Sequence, residues 1–280
     1  MQITTLPEDL NLDPSAEIAL YPYRTAYNLQ KSKINLAKNT ISFLRVGTKE
    51  VVGDDAATKI DNAHFLIMKS GNCLMTEKVS EENRVYESIL LFFSDEVAID
   101  FLERNDLTKV KASQEKSFYT FAYDGFIQHF VDGLENVIRL SPSIQSKVLT
   151  AKFEEIMLYL THHHGSAFLS DLIHKMDDKT ARLIKVVEHN RHVKLSLDEL
   201  AFLSRMSIST FKRSFYDHYG STPMKWFSAA RLNHAALLLK TNQKRAIDLY
   251  EDAGYESLSN FIQAFKRQFG QTPKQYQHSI

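Results

Sequence analysis

Two polar sets stand out for what their side chains can bond. Ser209, Lys212, Arg213 and Tyr216 form one; Ser259, Asn260, Gln263 and the Lys266-Arg267 pair form the other, fifty residues on. Successive residues of an α-helix lie about 100° apart, so each set falls on one helical face. Neither set holds a nucleophile beside a base or a convergent group of metal ligands. Both are rich in donors suited to nucleic-acid bases and phosphates. Arg213 can pair bidentately with guanine, and Lys212 and the serines can reach base edges or phosphates. The expected base-reading residues are Ser209, Lys212, Arg213, Ser259, Asn260 and Gln263. Ser207, Thr210, Ser257, Lys266 and Arg267 are the phosphate candidates.

The elements that must hold these residues are written twice. Ser207, Ser209, Phe211, Phe215, Gly220, Thr222 and Pro223 return as Ser257, Ser259, Phe261, Phe265, Gly270, Thr272 and Pro273, with Tyr219 and Trp226 answered by Phe269 and Tyr276. A repeat of this length marks a duplicated supersecondary unit. In the first copy Ser196 and Glu199 make a capping box for a short helix over 197–204, and Ser207 caps a second helix to about residue 219. Phe211, Phe215 and Tyr219 form its buried stripe, Gly220 closes it and Pro223 opens the next helix. This is a helix-turn-helix outline. The second copy places its short helix at 244–252, a turn at Gly254 and its second helix at 257–269. A long Ala- and Leu-rich helix over 223–240 joins them, and a helix over 179–190 precedes them. The repeated positions are mostly structural, while the outward ones differ, so the two helices are expected to read different base sequences.

Upstream the pattern changes. Short apolar runs at 41–46, 50–52, 65–68 and 85–93 are separated by turn residues such as Gly47, Gly53-Asp54-Asp55 and Ser70-Gly71-Asn72. They predict an antiparallel β-barrel or sandwich, cupin-like, over about 18–93. Residues 1–20, broken by Pro7 and Pro14, show no clear element. Helices follow over about 94–175: 95–104, 124–140, 143–163 with Pro142 at its start, and a short 167–175. Ile144, Val148, Ile156 and Leu160 lie along one stripe and are the candidates for a dimer surface. A polar junction at 176–180 divides a regulatory and dimerisation domain, 1–178, from a DNA-binding domain, 179–280. The fold class is therefore α+β, ending in an all-α domain.

Composition agrees with that division. The formal charge is zero, yet residues 1–180 carry 19 basic against 26 acidic side chains and residues 181–280 carry 15 against 8. A basic module joined to an acidic one suits a polyanion partner for the former. Cys73 is the single cysteine, which excludes an intrachain disulfide or a thiolate metal cage. A cupin-type metal enzyme needs several imidazoles and a carboxylate in the barrel, and this stretch has only His64. His162-His163-His164 are adjacent, so their rings do not converge on one ion; Gly165 makes them a helix end. No catalytic residue, metal or cofactor is expected, and DNA-repair methyltransfer lacks its reactive cysteines. With neither a secretory signal pattern nor an apolar run of about 20 residues, the chain is expected to be soluble and cytoplasmic.

Residues 181–280 resemble the DNA-binding domain of the AraC/XylS family of bacterial transcription regulators. The likeness runs through Leu197-Asp198-Glu199-Leu200-Ala201, Ser207 to Phe215, Gly220-Ser221-Thr222-Pro223, Arg231 to Leu239, and Gly254 to Tyr276, in the family's order and spacing. It implies two recognition helices in successive major grooves on one face of double-stranded operator DNA, roughly 34 Å apart. Two departures accompany it. Arg205 stands where the first turn normally has glycine, a φ > 0 position costing a bulky residue about 1 kcal/mol. Leu249-Tyr250 replaces the usual Ile-Ala, so the second unit is expected to be repacked. More loosely, the N-terminal part resembles the family's regulatory domain, nearest the branch that includes type III secretion regulators. The resemblance implies an activator more often than a repressor, a homodimer, RNA polymerase as a partner, and an effector that is either a small molecule or an antagonist protein.

Overall fold

The computed structural model describes residues 3–107, 116–173, 178–241 and 244–278. The chain divides into two compact units, Met1–Asp177 and Asp178–Ile280. Of the junction expected at 176–180, residues 176 and 177 lie outside the described residues, as do 174 and 175 of the short helix before it.

Among its described residues the N-terminal unit contains ten strands: β1 (Ile3–Leu6), β2 (Ile18–Thr25), β3 (Leu29–Leu36), β4 (Asn39–Val46), β5 (Thr48–Val52), β6 (Ala57–Ile60), β7 (His64–Met68), β8 (Gly71–Lys78), β9 (Tyr86–Phe93) and β10 (Phe118–Ala122). They form two five-stranded sheets, ordered β1-β3-β8-β5-β6 and β10-β7-β4-β9-β2. The architecture is thus a sandwich and not a closed barrel. Pairing is antiparallel except between β1 and β3, which run parallel from Ile3↔Lys33 to Leu6↔Leu36. Two strands lie outside the expected 18–93 span. β1 falls in the stretch that showed no element, and β10 pairs with β7 from Phe118↔Met68 to Ala122↔His64.

The apolar runs now have a physical reason. β4, β7 and β9 are central strands of the second sheet, which is covered on both faces. One face packs on the first sheet through Leu44, Leu66, Met68, Leu90 and Phe92. The other packs on helices through Ile41, Phe43, Phe65, Ile67, Ile89, Leu91 and Phe93. A strand buried on both sides reads as a continuous apolar run, not an alternating one. At the β4–β5 turn Gly47 has φ 101°, and a Cβ there would stand 2.4 Å from the Lys78 carbonyl oxygen, so no other residue fits.

The covering helices are α1 (Asp95–Arg104), α2 (Gly125–Val137), α3 (Pro142–His164) and α4 (Ala167–Ile173). Ser94 and Asp124 cap α1 and α2 by accepting from Val97 N and Ile127 N. The stripe expected to form a dimer surface is divided. Ile144 is 53% exposed and Val148 partly exposed, but Ile156 and Leu160 are fully buried in the core with Phe153 and Met157. The correction follows from helical spacing, since those two point toward the sheet. Leu158, 46% exposed, occupies the outward position instead.

Between the sheets Lys49 and Glu77 form a buried ion pair at 3.1 Å, and Lys49 Nζ also donates to Ser42 Oγ at 3.1 Å. Burial alone would lower the Lys49 pKa, but Tyr86 and Glu77 outweigh it and hold the ammonium protonated. The buried Cys73 thiol is pushed up to about 12 by desolvation, which makes it unreactive. His64 bonds Asp61 at 2.8 Å on the surface. α3 runs through all three adjacent histidines; the rings of His162 and His163 lie at 90° to each other, and His164 packs on Phe121.

The elements among the described residues of the C-terminal unit are all helices: α5 (Lys179–His189), α6 (Leu197–Leu203), α7 (Ile208–Tyr219), α8 (Pro223–Lys240), α9 (Ala246–Leu249), α10 (Leu258–Phe269) and α11 (Pro273–His278). Among the described residues, no helix of either unit is long and apolar enough to cross a membrane.

Candidate nucleic-acid interface

The first helix pair is α6 and α7. Ser196 Oγ accepts from Glu199 N at 3.2 Å while the Glu199 carboxylate accepts from Ser196 N at 2.6 Å, completing the expected capping box. α6 ends in a turn where Arg205 N donates to Phe202 O and Met206 N to Ala201 O, each at 2.9 Å. That six-to-one closure requires a left-handed residue, and Arg205 supplies it at φ 54°. The second pair has the same turn: Gly254 N donates to Glu251 O and Tyr255 N to Tyr250 O, with Gly254 at φ 89°.

Ser207 caps α7 by accepting from Thr210 N at 3.2 Å, and its hydroxyl also lies 3.0 Å from Ser209 Oγ and 2.8 Å from Thr210 Oγ1. The cap spreads hydroxyl groups across the amino end of the helix. Ser257 caps α10 in the same manner, accepting from Asn260 N at 3.2 Å. Gly220 at φ 61° and Gly270 at φ 75° close the two helices with left-handed residues, so the repeated Ser and Gly positions are the two ends of equivalent helices.

Each helix buries its aromatic stripe. Phe211 and Phe215 are wholly buried in α7, as are Phe261 and Phe265 in α10. The faces left outside are those expected from sequence. Ser209, Lys212 and Arg213 on α7 and Ser259, Asn260 and Gln263 on α10 are all exposed, with Tyr216 at 58%. Of the phosphate candidates Ser207, Lys266 and Arg267 are exposed, and Thr210 and Ser257 half-buried. Among the described residues none of Lys212, Arg213, Lys266 and Arg267 takes part in an ion pair, unlike Arg191, Lys244 and Arg245, which hold Glu188, Asp252 and Asp248. Unpaired guanidinium and ammonium groups on a helix face are available to phosphate or base without a bond being broken first. Lys266 and Arg267 stand in the last turn of α10, where they also complement the negative helix end.

Sequence reading missed two further cations of this kind. Lys225 and Lys274 stand in the first turns of α8 and α11, exposed and free of ion pairs among the described residues. Each follows a repeated Thr-Pro, at Thr222-Pro223 and Thr272-Pro273, and that shared placement was the available signal.

The pairs differ in their first helices. α6 has seven residues, whereas α9 is a single turn of four that ends at Leu249. Tyr250 is half-buried against the second core and points its hydroxyl to Glu251 Oε1 at 2.8 Å. The helix expected over 244–252 is thus limited to Ala246–Leu249, and the Tyr250 side chain packs at the core's edge. The Asp248 carboxylate accepts from Arg245 N and Arg245 Nε, both at 3.1 Å, which draws its pKa down.

α8 bridges the pairs with 18 residues. Trp226 lies 5.9 Å from Phe215 and 5.1 Å from Tyr219 by ring centroid. Tyr219 donates to Glu188 Oε1 at 3.0 Å; burial and then that carboxylate push its phenol pKa up. The rings of His192 and His234 lie 4.4 Å apart. Burial, then His234 and Arg191, holds the His192 imidazole below its ordinary range. Among the described residues no group of three or more His, Cys, Asp or Glu side chains is placed to hold a metal.

Similarity to known proteins follows the same division. Residues 200–279 match the helix-turn-helix domain family, and residues 39–172 match the ExsA N-terminal regulatory domain. The chain is 34% identical over 135 residues to the virulence regulon transcriptional activator VirF of Yersinia enterocolitica, covering 48% of this chain and 49% of that protein. The same values hold for the thermoregulatory protein LcrF of Yersinia pestis. Identity to the HTH-type transcriptional regulator ExsA of Pseudomonas aeruginosa is 31% over 123 residues, or 44% of each chain. The match thus spans about half the length of these relatives. The chain thus carries an AraC-type helix-turn-helix module behind an ExsA-type N-terminal regulatory domain, the two halves in which it is similar to these regulators.

Proposed function

We propose that this protein activates transcription by laying α7 and α10 into successive major grooves on one face of a promoter operator. Ser209, Lys212 and Arg213 read the first groove; Ser259, Asn260 and Gln263 read the second. Ser207, Thr210, Ser257, Lys266 and Arg267 fix the register on phosphates, and Lys225 and Lys274 add to that set. The observation that carries this reading is the pair of equivalently capped helices with unpaired polar faces, joined by one continuous helix of 18 residues. At 1.5 Å per residue that helix is about 27 Å long, commensurate with a roughly 34 Å spacing between successive grooves. Because the outward residues differ between copies, the half-site is asymmetric. The likeness to the transcriptional activator VirF supports activation over repression; in that role RNA polymerase would be a partner and the bacterial cytoplasm the place of action. No catalytic step is assigned to it.

Control resides in the N-terminal unit, and a protein antagonist suits it better than a small effector. The cavity between the sheets is about 140 Å³ and is shared with the Lys49–Glu77 pair, whereas small-molecule sites run to about 300–1,000 Å³. Outside, Phe126, Leu140, Ile144 and Leu158 are 38–53% exposed on or beside α2 and α3. Those apolar side chains suit a protein surface, either a second copy of the chain through Ile144 and Val148 or an antagonist.

Selection of binding sites from random DNA, followed by titration of Arg213→Ala against single-base variants, tests the assignment. Arg213→Ala should lose discrimination of about 1–3 kcal/mol at one base pair and bind the other variants in unchanged order. Equal weakening on every sequence would make Arg213 a phosphate contact and remove the base-reading role.

A further inference from the structure

α8 grips the two recognition helices by different means. Its amino-terminal half is wedged against the first pair by rings, with Phe227 6.0 Å and Trp226 5.9 Å from Phe215. Toward the second pair it buries Leu232, Ala235, Ala236 and Leu239 against Phe261 and Phe265. Small aliphatic contacts of this kind are non-directional and do not by themselves fix the angle of α10. Direction comes from a set of hydrogen bonds on the two flanks of that aliphatic stripe. Arg231 Nε donates to Ala253 O at 3.0 Å. Ser228 Oγ and Tyr255 Oη lie 3.2 Å apart. Gln268, on α10 itself, donates to Ala229 O at 3.3 Å and to Asn233 Oδ1 at 2.8 Å.

Arg231 is the centre of this set. Its carbonyl partner belongs to Ala253, in the turn that leads to the α10 cap Ser257. The next residue, Gly254, has φ +89°, and a Cβ there would stand 3.0 Å from Arg231 Nε and 3.3 Å from Nη2. The turn's glycine and the arginine are thus fitted to each other. The guanidinium is half-buried and makes no ion pair among the described residues. Its bond to the Ala253 carbonyl is charge-assisted, which gives that bond a strict geometry.

We propose that Arg231 is a positioning residue for the second recognition helix: with Gln268 and Ser228 it sets the angle at which α10 meets the DNA, without touching the DNA itself. The inference rests on the two-groove reading above. Loss of the Arg231 bond leaves α10 folded on α8 but misdirected, so the second groove is lost and the first retained.

The test uses the full chain and DNA selected by the wild type, compared with the same DNA carrying a scrambled second groove segment. Arg231→Ala should bind the intact site roughly 10–100-fold more weakly, the effect of one hydrogen bond to a charged group. On the scrambled site it should equal the wild type, and its hydroxyl-radical footprint should lack the second protected patch. Gln268→Ala, at an exposed position outside the core, should shift in the same direction by less, and decides the matter should Arg231→Ala unfold. Arg231→Lys keeps the charge without the planar Nε donor and should not restore the intact-site affinity. Equal weakening on both DNAs, no weakening on either, or full rescue by lysine would overturn the positioning role. A wild-type footprint with a single patch would overturn the two-groove reading instead.

Discussion

The turn between α6 and α7 carries a cost that a single substitution should release. Arg205 sits at φ 54°, in the same hydrogen-bonded closure that Gly254 makes at φ 89°. An L-residue in the left-handed region is disfavoured by about 1–2 kcal/mol, and glycine escapes this while costing about 0.5–1 kcal/mol in unfolded-chain entropy. The Arg205 side chain also makes an interaction of its own, so comparison with the wild type alone would mix two effects. Arg205→Ala removes the side chain and keeps the Cβ; Arg205→Gly removes both. The difference between these variants isolates the backbone contribution, and glycine should be the more stable by about 1 kcal/mol. For a unit of this size that is about 4–8 °C in Tm. Trp226 is the only tryptophan and packs on Phe215 and Tyr219, so its fluorescence during urea or thermal unfolding reports on this helix pair and not on the sandwich. If Arg205→Ala proved as stable as Arg205→Gly, the left-handed turn would not be strained and the reasoning would fail.

Two more outcomes follow from a buried ion pair and from a shifted imidazole. Lys49→Met leaves Glu77 uncompensated between the sheets and should destabilise the N-terminal unit by about 3–5 kcal/mol, whereas the double variant Lys49→Met with Glu77→Leu should recover most of that loss in urea unfolding; an unchanged single variant would contradict the pair's burial. Burial, then His234 and Arg191, lowers the His192 pKa in the folded unit. The unfolded chain therefore takes up a proton that the folded one resists. Stability from this source is present above about pH 6.5 and is lost as the pH falls below it, through the lowered folded pKa. Trp226-monitored melts between about pH 7.5 and 5.5 should show a steeper loss for the wild type than for His192→Gln. Parallel slopes would remove His192 from the account.

Much of the C-terminal unit was legible because its signals are local. A cap at Ser207 or Ser257, an aromatic every fourth residue and a left-handed glycine each act within a turn or two, and the helix over 223–240 was readable to the residue. The exposed faces of α7 and α10 followed from the same periodicity. The second pair's first helix was read too long: it is a single turn, Ala246–Leu249, followed by the left-handed turn at Gly254. In the N-terminal unit β4, β5, β7 and β9 were visible as apolar runs, but the other strands were not. Of these, β1 and β10 are edge strands outside the expected span whose register is fixed by distant partners, such as Ile34 for Thr4 and Leu66 for Thr120. Ile156 and Leu160 show the same limit on α3: a stripe tells that a face is apolar, and only the fold tells whether a sheet or a partner covers it. Arg231 and Gln268 escaped notice because their bonds join residues 22 to 39 positions apart.

The central claim is that one chain presents two helices to successive major grooves of one DNA face. A hydroxyl-radical footprint of the full protein on its selected site tests it most directly. The account predicts two protected patches on the same face, about one helical turn of 10–10.5 base pairs apart for each bound chain. A single patch, or protection spread evenly around the duplex, would contradict it.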